Sequence, residues 1–212
     1  MSNVRATRAY RSPLRRAQAQ ATRQRVFDAA LGLFADRGYA ATSIAGIARA
    51  AGVAPETIYA TFGSKRRILE ELVAGPFTQG AGQQARAAWL DRAGDAAAQL
   101  DVLAESARQF WSTNRALVSV LRQGTGDSGL AEVWATRQRD RRQLFRAMLS
   151  SWPPGTLRSD LDLQRAVDLT FALTSADFFH LLVDEADWST DAYRERLADL
   201  LRRTLLEPPR PA

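Results

Sequence analysis

The 212-residue chain has no cysteine and one histidine, and these two shortages exclude whole classes of chemistry before any motif is read. Without thiols there is no disulfide framework, no cysteine-based zinc or iron–sulfur site and no thiol catalysis. Nowhere does the sequence run to about 18 consecutive apolar residues, which argues against a membrane span. The arginine-studded N-terminus has no hydrophobic stretch behind it, so a secretory signal is not expected and a cytoplasmic location is. Alternating β-branched patterns are missing too. Instead alanine is abundant and apolar residues return every three or four positions, which predicts an all-α protein. An apolar fraction of 46% in a chain of this length is enough for a real core in one domain or two small ones.

Charge is distributed unevenly. The chain holds 29 basic and 23 acidic residues, but residues 1–70 carry 12 basic and 4 acidic side chains, and the rest is slightly acidic. A polyanion-binding N-terminal unit would account for this, because clustered cations gain free energy by releasing phosphate counterions. A solvated basic tail would account for it equally well. Lys65 is the only lysine, and arginine supplies every other cation.

Helix signals organise the basic segment. A first helix is predicted from Ala21 to Arg37, with Val26, Ala29, Ala30, Leu33 and Phe34 on one face and Gly38 as its stop. Thr42 is the expected cap of a short second helix facing inward through Ile44, Ile47, Ala48 and Ala51, and Gly52 supplies the turn. Pro55 opens a third helix with Ile58 and Phe62 inward, Gly63 stops it, and Ser64 caps a fourth. Two helices joined by a short glycine-containing turn form a helix-turn-helix, whose second helix fits the DNA major groove.

The residue pattern goes further than the spacing. The run AALGLFADRGYAATSIAGIARAAGV followed by APETIYATFGSKRRIL resembles the DNA-binding domain of the TetR family of bacterial transcriptional regulators. The likeness rests on the Gly-Tyr, Thr-Ser-Ile, Ala-Gly-Val, Thr-Ile-Tyr and Ser-Lys elements. It implies that Ala54, Pro55, Glu56 and Thr57 on the third helix face bases, that Tyr59 and Thr61 approach phosphates, and that Thr42, Ser43 and Lys65 complete a backbone clamp. Helix N-termini at Thr42 and Ser64 would present unpaired N–H groups to the strand. Ala54 departs from the serine or threonine cap common in the family, and Thr61 from a frequent histidine or tyrosine. The operator sequence is therefore not readable.

The remaining organisation follows from the same logic. Residues 1–20, with Arg5, Arg8, Arg11, Arg15 and Arg16 and no acid, read as a flexible basic arm able to reach DNA, or as a screened tail. Residues 21–66 are the DNA-binding domain. Residues 67–212 read as a larger helical regulatory and dimerisation domain, with a break expected at Gly75-Pro76 and a continuous apolar helix from Leu163 to Glu185. That helix, with the last one, suggests a homodimer interface at Phe178, Leu181, Leu182, Leu197, Leu200 and Leu201. Trp89, Phe110, Trp111, Trp134, Phe145 and Phe171 are candidates for an apolar effector pocket or simply core. The run Arg137, Arg139, Arg141, Arg142 and Arg146 reads as a solvated face or as an anchor for an anionic effector. His180 reads as a packed or interface residue.

No nucleophile–base pair, convergent carboxylates or metal cluster supports an enzyme, and neither a cofactor nor a membrane partner is expected. The sequence supports a DNA-binding transcriptional regulator, in this resemblance class most often a repressor released from double-stranded operator DNA by a small-molecule effector. A ligand-independent DNA-binding or architectural protein is the alternative.

Overall fold

Glycine at positive φ punctuates the first 63 residues. Gly38, Gly52 and Gly63, at φ of 80°, 66° and 76°, stop three successive helices, as only a residue without a Cβ does at little cost. The computed structural model describes residues 4–78, 80–123 and 128–208. Helices α1 (Val4–Arg37), α2 (Ile44–Ala51), α3 (Pro55–Phe62) and the start of α4 (Lys65–Thr78) enclose Val26, Ala30, Phe34, Ile47, Ile58, Ile68 and Leu69, all buried. The segment expected as an arm is helical from Val4 and continuous with α1. Its alanines, arginines and glutamines are strong helix formers that outweigh Pro13. The side chains of Arg5, Arg8 and Arg11 lie outside the described residues. Helix α4 also passes the expected break, ending at Thr78 and not at Gly75.

The described chain divides into two compact units. The first runs to Val73 and includes Ser119–Val133; the second comprises Ala74–Val118 and the chain from Trp134 onward. Helices α5 (Ala81–Leu90), α6 (Ala96–Thr113), α7 (Arg115–Gln123) and α8 (Ser128–Ser150) lead to α9 (Leu163–Leu173), α10 (Ala176–Phe179), a π-helical turn (His180–Glu185) and α11 (Thr190–Leu205). In the second unit α6 packs on α11, with α5 against α6 and α9 against α11. Its core holds Leu100, Ala104, Trp111, Phe145, Val167, Phe179, Tyr193, Leu197 and Leu201.

The single helix expected from Leu163 to Glu185 is broken, and the two halves meet at a 42° bend. The Thr170 and Thr174 hydroxyls donate back to the Ala166 and Thr170 carbonyls at 2.7 and 2.6 Å, a pattern that bends helices. Ser175 then caps the next turn by accepting the Phe178 N–H at 3.1 Å. Asp95 and Asp162 cap α6 and α9, and Ser189, not the adjacent Thr190, caps α11. Among the described residues no single helix is long and apolar enough to cross a membrane.

Candidate nucleic-acid interface

The geometry of the first unit presents one face of α3 to solvent. Ile58 and Phe62 are buried, and Ala54, Glu56, Thr57, Tyr59, Ala60 and Thr61 are exposed, with Pro55 half-buried. Tyr59, 55% exposed, is the largest of them. The Thr61 hydroxyl turns back to the Thr57 carbonyl at 2.7 Å, which occupies its donor but leaves the oxygen able to accept. Ala54 is the N-cap and makes no side-chain capping bond; Pro55 at the first helical position removes one of the N–H groups that a cap would otherwise serve.

The residues around α3 are arranged differently from the expected clamp. Ser43, not Thr42, caps α2, accepting the Gly46 N–H at 3.0 Å. Thr42 is 5% exposed, and its hydroxyl lies 2.8 Å from the Gly38 carbonyl oxygen and 3.2 Å from that of Leu33. It ties the end of α1 to the loop, so its side chain is not offered to a ligand. Ser64 caps α4 through the Arg67 N–H at 3.1 Å.

Lys65 is likewise turned inward. Its Nζ donates to the carbonyl oxygens of Tyr39 at 2.6 Å, Thr42 at 2.9 Å and Ala40 at 3.3 Å, and it sits 4.2 Å from the Tyr39 ring centroid. An ammonium has three N–H donors, and the α1–α2 loop accepts from all of them. Lys65 therefore pins that loop, and with it the start of α2. The role of Tyr39 as the other half of this pin was not read from the sequence, although the Gly-Tyr element marks its place.

Electrostatics concentrate the free positive charge away from α4. Arg23 pairs with Glu71 and stacks 4.7 Å from the Phe62 ring centroid. Arg66 is held by Glu132 and Glu70, which keep its proton bound well above the ordinary arginine range, and Arg67 pairs with Glu70 and Glu71. The exposed cations Arg15, Arg16, Arg25, Arg37 and Arg49 make no ion pair among the described residues, and they lie on α1 and α2.

Sites expected in the second unit separate into three groups. Trp89 stacks on Trp152 at 6.2 Å and belongs to the core, where buried Gln99 donates to the Trp89 carbonyl at 3.0 Å and accepts the Trp152 indole N–H at 2.6 Å. Trp111, Phe145 and Phe171 surround Arg141, Phe110 meets Trp111 edge-on at 4.5 Å, and Trp134 packs half-buried against the same core. None of these borders the cleft of about 450 Å³ lined by Gly155, Leu157, Arg158, Ser159, Leu161 and Glu207.

Of the expected interface residues, Leu197 and Leu201 are fully buried in their own chain and offer no surface, because α11 spends that face on α6. Leu181 is 53% exposed, near exposed Trp188; Phe178, Leu182 and Leu200 are half-buried. His180 is half-exposed between Asp184 at 3.0 Å and Glu185 at 3.1 Å. Arg139, Arg142 and Arg146 are solvated as expected, but Arg141 is buried.

Residues 26–72 match the family described as "Bacterial regulatory proteins, tetR family". No curated protein matches the chain. Among solved structures, NalD of Pseudomonas aeruginosa, described as the secondary repressor of the MexAB-OprM multidrug efflux pump, superposes with a TM-score of 0.73 at 21% identity, covering 90% of this chain and 98% of its own. The fatty acid degradation regulator FadR from Bacillus halodurans gives 0.67 at 21% identity, with 84% and 93% covered. FadR from Bacillus subtilis, in complex with stearoyl-CoA, gives 0.62 at 20% identity, with 84% and 96% covered. At these identities the likeness shows a shared fold over both units.

Proposed function

Its N-terminal domain being that of the tetR family of bacterial regulatory proteins, we propose that the chain is a cytoplasmic, homodimeric transcriptional repressor that leaves its operator when a small molecule binds the second unit. The observation that carries the reading is α3: an eight-residue helix with two apolar anchors inward and a polar outer face of Glu56, Thr57, Tyr59 and Thr61. It is flanked by the capped N-termini of α2 and α4, where N–H groups and helix dipoles favour phosphate. Thr57 and Ala54 are the candidates for base edges and Tyr59 for a phosphate, while Glu56 discriminates against registers that bring a phosphate too close. The exposed arginines of α1 add sequence-independent attraction.

A homodimer supplies the second half of the reading, since one such helix covers too few base pairs for specificity and C2 symmetry presents two to a pseudo-palindrome. Of the expected interface residues Leu181 is exposed, and Trp188 adds exposed apolar surface. The shared fold with regulators, one of them bound to stearoyl-CoA, supports an effector. A ligand that favours the DNA-incompetent state about 100-fold would shift the balance by about 2.7 kcal/mol, within ordinary allosteric coupling.

Fluorescence anisotropy with a labelled duplex from the region beside the protein's own gene tests this. Binding at least about a thousandfold tighter than to a scrambled duplex is expected of a specific reader. Equal affinity for the two duplexes would remove the repressor reading.

A further inference from the structure

Among the described residues of the second unit, the most deeply buried charge has no counter-charge. Arg141, on α8, is 7% exposed, and among the described residues no carboxylate pairs with it. Its Nη2 donates to the carbonyl and hydroxyl oxygens of Thr174, at the end of α9; Nε and Nη1 have no acceptor among the described residues. The guanidinium lies 5.7, 5.0 and 5.0 Å from the ring centroids of Trp111, Phe145 and Phe171. Burial pushes its pKa down to about 9, and neighbouring Arg137 and Arg142 act in the same direction, yet it remains a cation at neutral pH. Tyr193 on α11 is fully buried with a hydroxyl that has no hydrogen-bond partner among the described residues, and it interacts electrostatically with Arg141.

A purely structural role does not require this charge. The Thr174 carbonyl already accepts the Trp111 indole N–H at 3.0 Å, so a neutral donor closes the end of α9. The Thr174 hydroxyl already donates to Thr170. Burying an uncompensated cation is costly, whereas a carboxylate brought to unengaged guanidinium N–H groups among apolar rings makes strong charge-assisted hydrogen bonds. The rings around Arg141 suit an apolar body attached to that acid.

We propose that Arg141 is the anion anchor of the effector site, and that the effector is an apolar organic acid whose carboxylate takes the unengaged guanidinium N–H groups and the Tyr193 hydroxyl. Trp111, Phe145 and Phe171 contact its body. The inference rests on reading the chain as an effector-responsive regulator.

Thermal melts of the full chain with octanoate or 1-naphthoate, each against its neutral match, octanol or 1-naphthalenemethanol, test it. Acids raise the Tm and the alcohols do not. Tyr193→Phe, which removes only an unpartnered hydroxyl, keeps the ligand-free Tm and weakens the response to acid about tenfold, as loss of one hydrogen bond to a charged group does. Arg141→Met abolishes the response and, without ligand, melts no lower than the wild type. The proposal is overturned if neither acid raises the Tm, if the alcohols do so equally, or if the methionine variant still responds. Operator binding by the same wild-type sample is read in parallel: its absence defeats the regulator reading, whereas operator binding with an acid-insensitive Tm defeats only the anion anchor.

Discussion

Replacing Lys65 with methionine keeps the aliphatic stem and removes the ammonium that joins the Tyr39, Ala40 and Thr42 carbonyls. Hydrogen bonds from a charged donor contribute about 1.5–3 kcal/mol when well shielded. Here the group is half-buried, the 3.3 Å bond to Ala40 is long, and freed carbonyls can regain water. The net loss is therefore about 2 kcal/mol, part of it the contact with the Tyr39 ring. For a chain of this size that lowers Tm by about 4–8 °C. The salt dependence of duplex binding, measured below the melting range, distinguishes a loop pin from a phosphate ligand. Because the loop already occupies the three N–H groups, the slope of log affinity against log salt stays at the wild-type value. An unchanged Tm together with a slope reduced by about 0.9 would show that Lys65 grips phosphate, and that its inward placement does not describe the DNA-bound protein.

Tyr59→Ala, at an exposed position, should leave the melt within about 0.5 kcal/mol of wild type and weaken binding to every duplex; sequence-selective loss in anisotropy titrations would instead make Tyr59 a base reader. Gly52→Ala meets no atom within 4 Å but holds φ at +66°, so denaturation should show a cost of about 1–2 kcal/mol from backbone strain alone; no change would mean the turn relaxes. Leu181→Arg should yield folded monomers in sedimentation, while Leu201→Arg, at a fully buried site, should lose helical CD; a folded Leu201→Arg protein would contradict the placement of α11.

Much of the first unit was legible because its signals are local. Glycine stops, Pro55 and the inward residues of α1 to α3 depend on spacing within one or two turns; the stops and Pro55 stand where expected, and of the inward residues Ala29, Leu33 and Ile44 are half-buried and the others buried. The errors arise where adjacent residues offer the same chemistry. Thr42 and Ser43 can both cap, and only the approach of Gly38 and Leu33 decides that the threonine hydroxyl goes inward; Ser189 and Thr190 pose the same choice. Lys65 reads as part of a phosphate clamp only through the family resemblance, while its acceptors lie 23 to 26 residues back. Periodicity placed the apolar residues of Leu163–Glu185 but could not show that Thr170, Thr174 and Ser175 break the helix. Arg141 was hidden within a run of five arginines: only the packing of α6 and α9 against α8 distinguishes the buried one from its solvated neighbours.

In the proposed repressor, α3 reads operator DNA as one of a symmetric pair. Footprinting the purified protein on the promoter beside its own gene tests this most directly. Protection is expected over a pseudo-palindromic site whose half-sites are centred about 34–36 Å apart, or about one helical turn more, and is lost when Thr57 and Tyr59 are both replaced by alanine. Protection of a single asymmetric half-site, or a footprint unchanged in that double variant, would contradict it.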